Sequence, residues 1–412
     1  MKTLVIYANT TPKLRSTQRE HLYCFKKYSS AQTYYLNIHF HPPVPQIINE
    51  QNFGLIIIHT TFIATHWSSR ETLLKYITQL EFIASLPAVK IALPQDEYIN
   101  TDLVSECIQR LGIQIVYSVS PPSEWKKIYQ GVDFESVQFK QVLTGYLNPQ
   151  IVERINKLHP EKNNRQIDIG YRARNIPFSL GRQGQIKNAI GRVFASYQPE
   201  LGLIKNISNK EEDTLLEFDW YKFLLNCKYV LGVEGGASVL DKDGSIMKNT
   251  EDYIKERKKE KIEIGYQEAE SLFFPNRDGE INIVALSPRH LEACLTRTCQ
   301  VLIEGNYNNI LIANKHYIPL KSDFSNLNEV MNLIKQDHLR IEITNNAYKD
   351  IVESELYTYP QFVNLIYDEA KKIIRNTTKT KNTIFYDFQF KIMALKSKLW
   401  LHIRHKIKSF FH

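Results

Sequence analysis

Cysteine is scarce in this chain, with five residues among 412, at scattered positions and in odd number. No two of them show the C-x-x-C spacing of a metal site or redox motif, so the pattern is typical of reduced thiols in a cytosolic protein. Long hydrophobic runs are absent as well, and the apolar run in the opening MKTLVIYANTT is too short for a signal peptide or a membrane span. The sequence therefore predicts a cytoplasmic protein.

Repeats and common catalytic signatures are also missing. The chain shows no fixed-period repeat, no low-complexity tract and no G-x-G-x-x-G, Walker, G-x-S-x-G or H-E-x-x-H sequence. Enzymes that depend on those signatures are thus excluded. The acidic pair Asp241 and Asp243 has a spacing seen at metal sites, but D-K-D-G is more typical of a type I turn.

What remains is the composition of a globular protein, with 43% apolar and 23% charged residues, at a length that favours two domains. The net charge of +8 is unevenly placed. Residues 371–412 hold eleven Lys or Arg and one acid, a net +10, whereas the rest of the chain sums to −2. Because the body is slightly acidic and carries no nucleic-acid motif, no nucleic-acid partner is predicted.

Strand-like and helix-like segments alternate through residues 1–158. Residues 54–59 form a continuous, largely β-branched run, typical of a parallel strand buried on both faces. Residues 69–86 have apolar positions at helical spacing behind the N-cap residue Ser69, and residues 89–93 form a further strand. This alternation predicts a doubly wound α/β domain at 1–158.

A charged stretch, HPEKNNRQ at 159–166, is interpreted as an interdomain linker. The alternation then restarts, with strands predicted at 167–170 and 228–233 and a helix at 183–197. This predicts a second α/β domain at 159–360, followed by a helical segment at 361–412. Two such domains in tandem create a ligand cleft between the carboxyl ends of their strands.

The segment at 361–412 is basic and amphipathic. Within 391–411, apolar residues recur at spacings of three and four while Lys and Arg fill the positions between them: Ile392, Leu395, Leu399, Ile403 and Ile407, with Trp400, Phe410 and Phe411 on or near the apolar side. The pattern predicts peripheral attachment to an anionic membrane surface through residues 385–412. The alternative is a helix packed on the body of the protein with a solvated basic face.

Three loops follow predicted strands of the second domain. The first, residues 168–191, combines Arg172 and Arg174 with glycines at a helix start and with Lys187, which suits a diphosphate. The second, LGVEGGASVLDKDGS at 231–245, places Glu234 and two glycines directly after a strand, where a simple turn is the alternative. The third, at 285–311, begins with a helix capped by Ser287.

The third loop also resembles a known family. Its SPRHLEA, residues 287–293, is similar to the S-x-R-x-x-E-A donor helix of glycosyltransferases with the GT-B fold. The segment HYIPLKSDFSNLNEVMNLI at 316–334 resembles the stretch that ends their nucleotide-sugar domain. The match covers roughly residues 165–335 and looks closest to bacterial enzymes of surface polysaccharide synthesis, such as capsule or O-antigen enzymes.

The resemblance implies two Rossmann-like domains facing across a cleft, a nucleotide-sugar donor, a glycan or lipid-linked acceptor held by the first domain, and no essential metal. It implies that Glu292 binds the donor ribose. The full predicted donor-binding set is Arg172, Arg174, Lys187, Gly235, Gly236, Ser238, Arg289, Glu292, Glu304 and Tyr307. Many retaining members carry a first Glu where this chain has Val284, so either Glu234 substitutes for it in space or the stereochemical outcome differs.

The general base is expected from the first domain, at strand ends. His59 and His66 are candidates there, but Asp96 and Glu97 are favoured because they follow the strand at 89–93, where a carboxylate can deprotonate an acceptor hydroxyl. The predicted catalytic residues are therefore Asp96, Glu97 and Glu234. A CMP-linked polyol-phosphate transferase, a nucleotide-sugar epimerase and a non-catalytic assembly scaffold are the alternative functions.

Overall fold

The computed structural model describes residues 1–11, 14–41, 47–162, 164–197, 202–374, 388–393, 395–397, 399–401 and 403. They form two compact units. Unit 1 combines residues 1–142 with the described residues after 361, and unit 2 comprises residues 143–361. The division at Val142 precedes the boundary predicted at 158, because Ile155 packs into a core cluster of unit 2 with Leu291 and Leu295.

Unit 1 is built on a six-stranded parallel sheet in the order β2-β1-β3-β4-β5-β6. Its strands are β1 Lys2–Tyr7, β2 Gln32–Asn37, β3 Leu55–Ile58, β4 Val89–Ala92, β5 Ile115–Ser118 and β6 Gln138–Gln141. Its helices are α1 Ser16–Lys27, α2 Ile47–Glu50, α3 Thr60–Ile63, α4 Arg70–Leu80, α5 Thr101–Arg110 and α6 Trp125–Ile128. The sheet confirms the doubly wound α/β prediction.

Local sequence explains the central elements of unit 1. All four residues of β3 are buried, as the continuous apolar run predicts for a strand covered on both faces. Helix α4 begins where the sequence indicated, because the Ser69 hydroxyl accepts a hydrogen bond from the Thr72 backbone N–H at 3.0 Å.

Unit 2 has a five-stranded parallel sheet in the order β13-β12-β9-β7-β8 and a separate antiparallel pair, β10-β11. Its strands are β7 Ile167–Arg172, β8 Lys205–Ser208, β9 Cys227–Gly232, β10 Gly235–Ala237, β11 Ile283–Ala285, β12 Cys299–Ile303 and β13 Ile318–Leu320. The chain adds strands on one side of β7 and then on the other. The order therefore reverses between β7 and β9, which is the topological switch point of the sheet.

The helices of unit 2 flank this sheet. They are α7 Pro149–Asn156, α8 Gly181–Ser196, α9 Phe218–Asn226, α10 Ser245–Lys259, α11 Tyr266–Phe273, α12 Pro288–Leu295, α13 Leu327–Ile334 and α14 Asp337–Ala347. A π-helical turn, Tyr348–Glu353, follows α14. Helix α15, Tyr359–Ile373, brings the chain back to unit 1, where the Phe362 ring lies 6.0 Å from that of Phe25, tilted by 53°.

Residues 159–166, which were interpreted from the sequence as an interdomain linker, lie within unit 2. Arg165 is only 6% exposed, and its guanidinium donates hydrogen bonds to five oxygens: those of Pro160, Leu224, Cys227 and Thr296 in the backbone and the Thr298 hydroxyl. Burial lowers the pKa of Arg165 to about 10. Arg165 therefore anchors this stretch to the interior of unit 2 by joining three chain segments, although His159, Glu161, Asn164 and Gln166 are exposed.

The described residues of 388–403 are helical and pack on unit 1. Phe390, Ser397 and Leu401 are buried. The Phe390 ring lies 4.6 Å from that of Tyr34, and the Ser397 hydroxyl is 3.1 Å from His41 Nε2. One face of this C-terminal helix is thus attached to the protein, as the packed-helix alternative predicted.

The C-terminal helix also has an exposed apolar face. Phe388, Leu395, Leu399, Trp400 and Ile403 are exposed, with Leu395 at 65% and Leu399 at 62%. Lys391 and Lys396 are exposed beside them. Ile407, Phe410 and Phe411 of the predicted apolar side lie outside the described residues. Within the described part of the chain, no helix combines the length and apolar character needed to cross a membrane.

Candidate functional site

A cavity of about 250 Å³ lies in unit 2 at the carboxyl ends of β7 and β9. This is the switch point of the sheet, where open parallel sheets bind their ligands. The residues that line it come from β7 and β9 and the segments that follow them, from β12, and from α8, α9 and α12 with its N-cap: Tyr171, Arg172, Ala173, Arg174, Ile176, Lys187, Trp220, Val230, Leu231, Gly232, Val233, Ser287, Arg289, His290 and Gln300.

The lining of this cavity is strongly positive. Three arginines and one lysine, Arg172, Arg174, Arg289 and Lys187, face it, and none of its described lining residues carries a carboxylate. His290 adds no charge at neutral pH, because burial, with a smaller contribution from the nearby cations Lys187 and Arg289, lowers its pKa to about 4. An anion with several charged oxygens, such as a diphosphate, is the ligand that fits this charge.

Two of the arginines are held in place by the protein. Arg172 donates to the backbone oxygen of Asn206 at 2.9 Å and to its side-chain oxygen at 2.6 Å. Arg289 donates to the backbone oxygen of Arg172 and lies over the Trp220 ring, with its guanidinium carbon 4.8 Å from the ring centroid. Arg174, by contrast, has a side chain that is about half exposed. The positive wall is therefore largely preorganised.

The N-terminus of α8 corrects one expectation. The sequence predicted that its free N–H groups would bind phosphate, but Asp278 and Ser238 already accept from them. The Arg182 N–H lies 3.2 Å from Asp278 Oδ1, and the Gln183 N–H donates to the Ser238 hydroxyl at 3.2 Å. Ser238 in turn donates to Asp278 at 2.6 Å. The buried carboxylate of Asp278 therefore occupies the place that an anion was expected to take.

The EGGAS stretch forms a β-ribbon rather than a simple turn. Gly235 and Gly236 belong to β10 and pair with Ala285 and Val284 of β11. Gly236 has a φ of 137°, and a Cβ there would lie 1.9 Å from the Ile283 carbonyl oxygen, so only glycine fits. Gly236 thus permits a close approach of two backbones within unit 2.

Glu234 holds a left-handed turn. Its carboxylate accepts from the N–H groups of Asn306 at 3.1 Å and Tyr307 at 2.6 Å. Tyr307, Asn308 and Asn309 all have positive φ, between 45° and 56°. Such a run of non-glycine residues is strained and needs external support. Burial raises the pKa of Glu234, while the two N–H groups oppose that rise. Its predicted catalytic role stays a prediction, because it does not line the cavity.

Four of the ten predicted donor-binding residues line the cavity: Arg172, Arg174, Lys187 and Arg289. The other six do not, for different reasons. Gly235, Gly236 and Ser238 serve the ribbon and the α8 cap described above. The Tyr307 ring is fully buried and its hydroxyl donates to the Ile303 carbonyl at 2.6 Å, while Glu304 is exposed beyond β12. Glu292 is 9% exposed and accepts hydrogen bonds from Trp220 and Tyr221.

The two predicted base candidates in unit 1 have opposite environments. Glu97 is buried, and its carboxylate accepts from both N–H and hydroxyl of Ser120, from the Val119 N–H and from the hydroxyls of Ser118 and Tyr129. Burial raises the pKa of Glu97, although the hydrogen bonds from those donors act to lower it. Asp96 is exposed and has a φ of 55°. Of the two carboxylates, only that of Asp96 is exposed.

The histidine candidates are buried. His59 Nε2 lies 2.9 Å from His21 Nδ1, and His66 Nδ1 lies 3.1 Å from the Asn100 amide nitrogen. Burial lowers the pKa of His59 and lowers that of His66 to about 4. Both are therefore neutral at physiological pH, and the structure places them in the interior of unit 1.

The acidic turn at 241–245 caps a helix. Asp241 accepts from the N–H groups of Ile246 and Met247, and Asp243 accepts from Ser245, at the start of α10. Among the described residues, no group of three or more His, Cys, Asp or Glu is placed to hold a metal ion.

Two residues that shape the site were not predicted. Trp220 lines the cavity from α9, and Asp278 caps α8. The FDWYKFLLN stretch of α9 carries a usable signal, since its aromatic residues recur at helical spacing. No local pattern marks Asp278, because its partner at Arg182 is 96 residues away in the chain.

Two solved structures resemble most of the chain. Trehalose-6-phosphate synthase OtsA matches over 91% of this chain and 100% of its own, with a TM-score of 0.52 and 8% identity. Anabaena Alr3699/HepE in complex with UDP matches over 90% and 100%, with a TM-score of 0.51 and 12% identity. No protein-family profile and no curated protein matches the chain. With its six-stranded and five-stranded parallel sheets in two units, the chain therefore has the GT-B fold of glycosyltransferases.

Proposed function

We propose that this protein is a glycosyltransferase that moves a sugar from a nucleotide-sugar donor to a glycan or lipid-linked acceptor. The observation that carries the proposal is the cavity at the β7/β9 switch point, with four cations and no carboxylate among its described lining residues. A nucleotide-sugar carries one or two phosphates, which leave with the nucleotide when the sugar is transferred. Fixed cations stabilise the charge that develops on that leaving group.

A ligand screen by thermal unfolding tests this proposal. UDP, GDP and CMP are added separately, with inorganic pyrophosphate as the reference anion. A ligand at about 100 times its Kd adds about 2.7 kcal/mol of stability, so at least one nucleotide should raise Tm by several degrees. A scaffold without donor binding predicts no shift for any of them. An epimerase is distinguished by incubation with nucleotide-sugar alone, since it converts the sugar without an acceptor.

For the acceptor side, we propose that Asp96 is the general base. Asp96→Asn should lower the transfer rate by about 10²–10⁴-fold, because the amide cannot take a proton from an acceptor hydroxyl. Nucleotide binding in the thermal assay should stay as in the wild type, since Asp96 belongs to unit 1 and the cavity belongs to unit 2. Normal turnover by Asp96→Asn would contradict the assignment.

Glu97→Gln is the comparison for that experiment. Because Glu97 accepts hydrogen bonds from four residues inside unit 1, its replacement should lower Tm. If Glu97→Gln loses activity only in proportion to the loss of folded protein, Glu97 has a structural role. A well-folded Glu97→Gln protein that binds nucleotide and does not turn over would transfer the role of base from Asp96 to Glu97.

We further propose that the protein works at an anionic membrane surface, in the synthesis of a cell-surface polysaccharide such as capsule or O-antigen. The exposed residues Leu395, Leu399 and Trp400 support this, because a helix that packs on a body normally turns its apolar residues inward. The lysines beside them and the net +10 of residues 371–412 match an anionic lipid surface. The lipid-linked acceptors of such pathways reside in that membrane.

Replacing these three exposed residues tests the membrane proposal. The triple variant Leu395→Asn, Leu399→Asn, Trp400→Asn should bind vesicles containing phosphatidylglycerol at least tenfold more weakly, because it loses the apolar contact area. Its Tm should be unchanged, since the buried residues Phe390 and Leu401 are kept. Leu356→Asn, at an equally exposed leucine of unit 2, is the control. Unaltered co-sedimentation of the triple variant with vesicles would refute the proposal.

A further inference from the structure

His290 lines the cavity from α12 and is almost fully buried, with 4% of the residue exposed. Its two ring nitrogens lie close to two different oxygens. Nδ1 is 2.9 Å from the side-chain oxygen of Gln300, and Nε2 is 3.3 Å from the backbone oxygen of Val233. A neutral imidazole carries a single N–H, so it can donate to only one of these oxygens, whereas the imidazolium donates to both.

The side chain of Gln300 decides which nitrogen holds the proton in the neutral ring. Its amide nitrogen donates to the backbone oxygen of His290 at 3.2 Å, which turns its amide oxygen towards Nδ1. Reversing the amide would bring two oxygens together. The neutral ring therefore carries its proton on Nδ1, and the bare Nε2 faces the Val233 carbonyl. A second proton, bound at Nε2, thus has its acceptor in place before it arrives.

Positive charge in the cavity opposes that second proton. Burial first, and then the charges of Lys187 and Arg289, lower the pKa of His290 to about 4, although its two oxygen partners act to raise it. Arg172 and Arg174 line the same cavity. A second proton on His290 is therefore disfavoured until an anion offsets these charges.

Other titratable side chains are packed near His290. The Tyr307 ring meets the imidazole edge to face, with 5.2 Å between centroids, Cys294 lies one turn further along α12, and Tyr171 lines the same cavity. Burial raises the pKa values of these three groups, so each is uncharged at neutral pH. Glu234 places its carboxylate on the Tyr307 N–H, and burial raises its pKa as well. Its titration must therefore be distinguished from that of His290.

We infer that binding of the donor phosphates brings a proton from solvent onto His290 Nε2, and that the imidazolium then adds a positive charge to the cavity. The inference rests on the proposed function and goes beyond it, because it makes donor binding dependent on pH. The bound phosphates attract the imidazolium, and the Val233 carbonyl accepts its new N–H. Because both ring nitrogens face protein oxygens, the ring acts on the donor through its charge.

The pH dependence of donor affinity has a defined sign. The free protein gains the proton only at about pH 4, whereas the complex gains it at a higher pH. Between these two values the complex holds more protons than the free protein, so the affinity rises as the pH falls. Above this range neither form holds the proton, and below it both do, so the affinity becomes constant at each end.

Calorimetric titration in buffers of different ionisation enthalpy measures the proton directly. The probe is the nucleotide-sugar of whichever nucleotide binds: UDP-glucose, GDP-mannose or CMP-N-acetylneuraminate. Free nucleotides are unsuitable because their terminal phosphate itself titrates at about pH 6, and linkage to the sugar removes that proton. At about pH 5–6 the wild type should take up at least about half a proton per donor bound, with an affinity at least about threefold higher than at about pH 8.

Two histidine variants assign the proton. His290→Gln removes the titrating ring, so it should abolish the uptake and keep the donor affinity within about twofold across this pH range. His338→Gln, at an exposed histidine on α14 of the same unit, is the matched control and should behave as the wild type. Uptake that persists in a folded His290→Gln protein would assign the proton to another group, such as Glu234, and overturn the inference.

Nitrogen NMR of the wild type, labelled in histidine, supplies a measurement that does not need His290→Gln to fold. At the pH of greatest uptake, the donor should convert one imidazole to the imidazolium, in which both ring nitrogens are protonated. Donor binding without proton uptake and without this conversion overturns the inference and leaves the proposed function in place. Failure of every nucleotide and nucleotide-sugar to bind overturns both.

Discussion

Replacing Arg165 by methionine is expected to lower the stability of unit 2 by about 3–5 kcal/mol. The guanidinium donates to five oxygens, at distances from 2.6 to 3.2 Å, and no water replaces it in that buried position without opening the core. Methionine fills a similar volume and donates nothing, so several carbonyl groups lose a partner. Each buried polar group left unpaired costs about 1–3 kcal/mol. Because some of the carbonyl groups find other hydrogen-bond donors, the total stays below the sum of these costs.

Thermal unfolding and hydrogen exchange measure this effect. For a unit of this size, 3–5 kcal/mol corresponds to a fall in Tm of about 6–20 °C. Amides of β7 and β9 should lose protection, whereas those of the unit 1 sheet should keep theirs. Arg192→Met is the matched control, because Arg192 is an exposed arginine on α8 of the same unit. Equal stability of the two variants would show that the Arg165 network contributes nothing.

Arg165 also illustrates a limit of the sequence. In HPEKNNRQ it stands among polar residues, and polar stretches are normally exposed connections. Its burial depends on carbonyl groups at Leu224, Cys227 and Thr296, which come close only when the β9 and α12 segments have folded. The residues next to Arg165 in the sequence give no indication of hydrogen-bond partners that are distant in the chain. The same reason explains why the return of α15 to unit 1 was not predicted.

Features encoded by neighbouring residues were predictable. The β-branched run of β3 gave a strand, and Ser69 and Ser287 began helices α4 and α12 where the cap rules place them. The alternation of these elements was sufficient for the doubly wound architecture of both units. These predictions succeed because the spacing of apolar side chains and the capping of helices depend on only a few neighbouring residues.

The site was predictable only in part. Its cations follow strands or open helices, so Arg172, Arg174, Lys187 and Arg289 could be assigned from chain position alone. The orientation of the acidic side chains could not be assigned, since Glu234 finds its partners at Asn306 and Tyr307, after the neighbouring strand β12. Sequence order locates a residue at an edge of the sheet, and only packing decides which way its side chain points.

Lys187→Met is expected to lower kcat by about 10²–10³-fold, the scale of losing one preorganised charge from a site where negative charge develops. Lys187 lines the cavity, and its Nζ lies 3.9 Å from the position that a Cβ would take at Gly235. Its charge also contributes, after burial, to the lowered pKa of His290, which lines the same cavity. We expect the positive charge of Lys187 to stabilise the departing nucleotide phosphate most, because negative charge develops there.

The split between kcat and binding distinguishes this role from simple attraction of the donor. If Lys187 acts on the leaving group, kcat should fall much more than the affinity for the nucleotide-sugar donor, because the phosphate is more negative in the transition state than in the bound donor. Arg192→Met, which removes an exposed charge from the same helix, should change neither. A Lys187→Met enzyme with wild-type kcat would place the leaving group away from α8, and Arg172 and Arg289 would then be the cations that stabilise it.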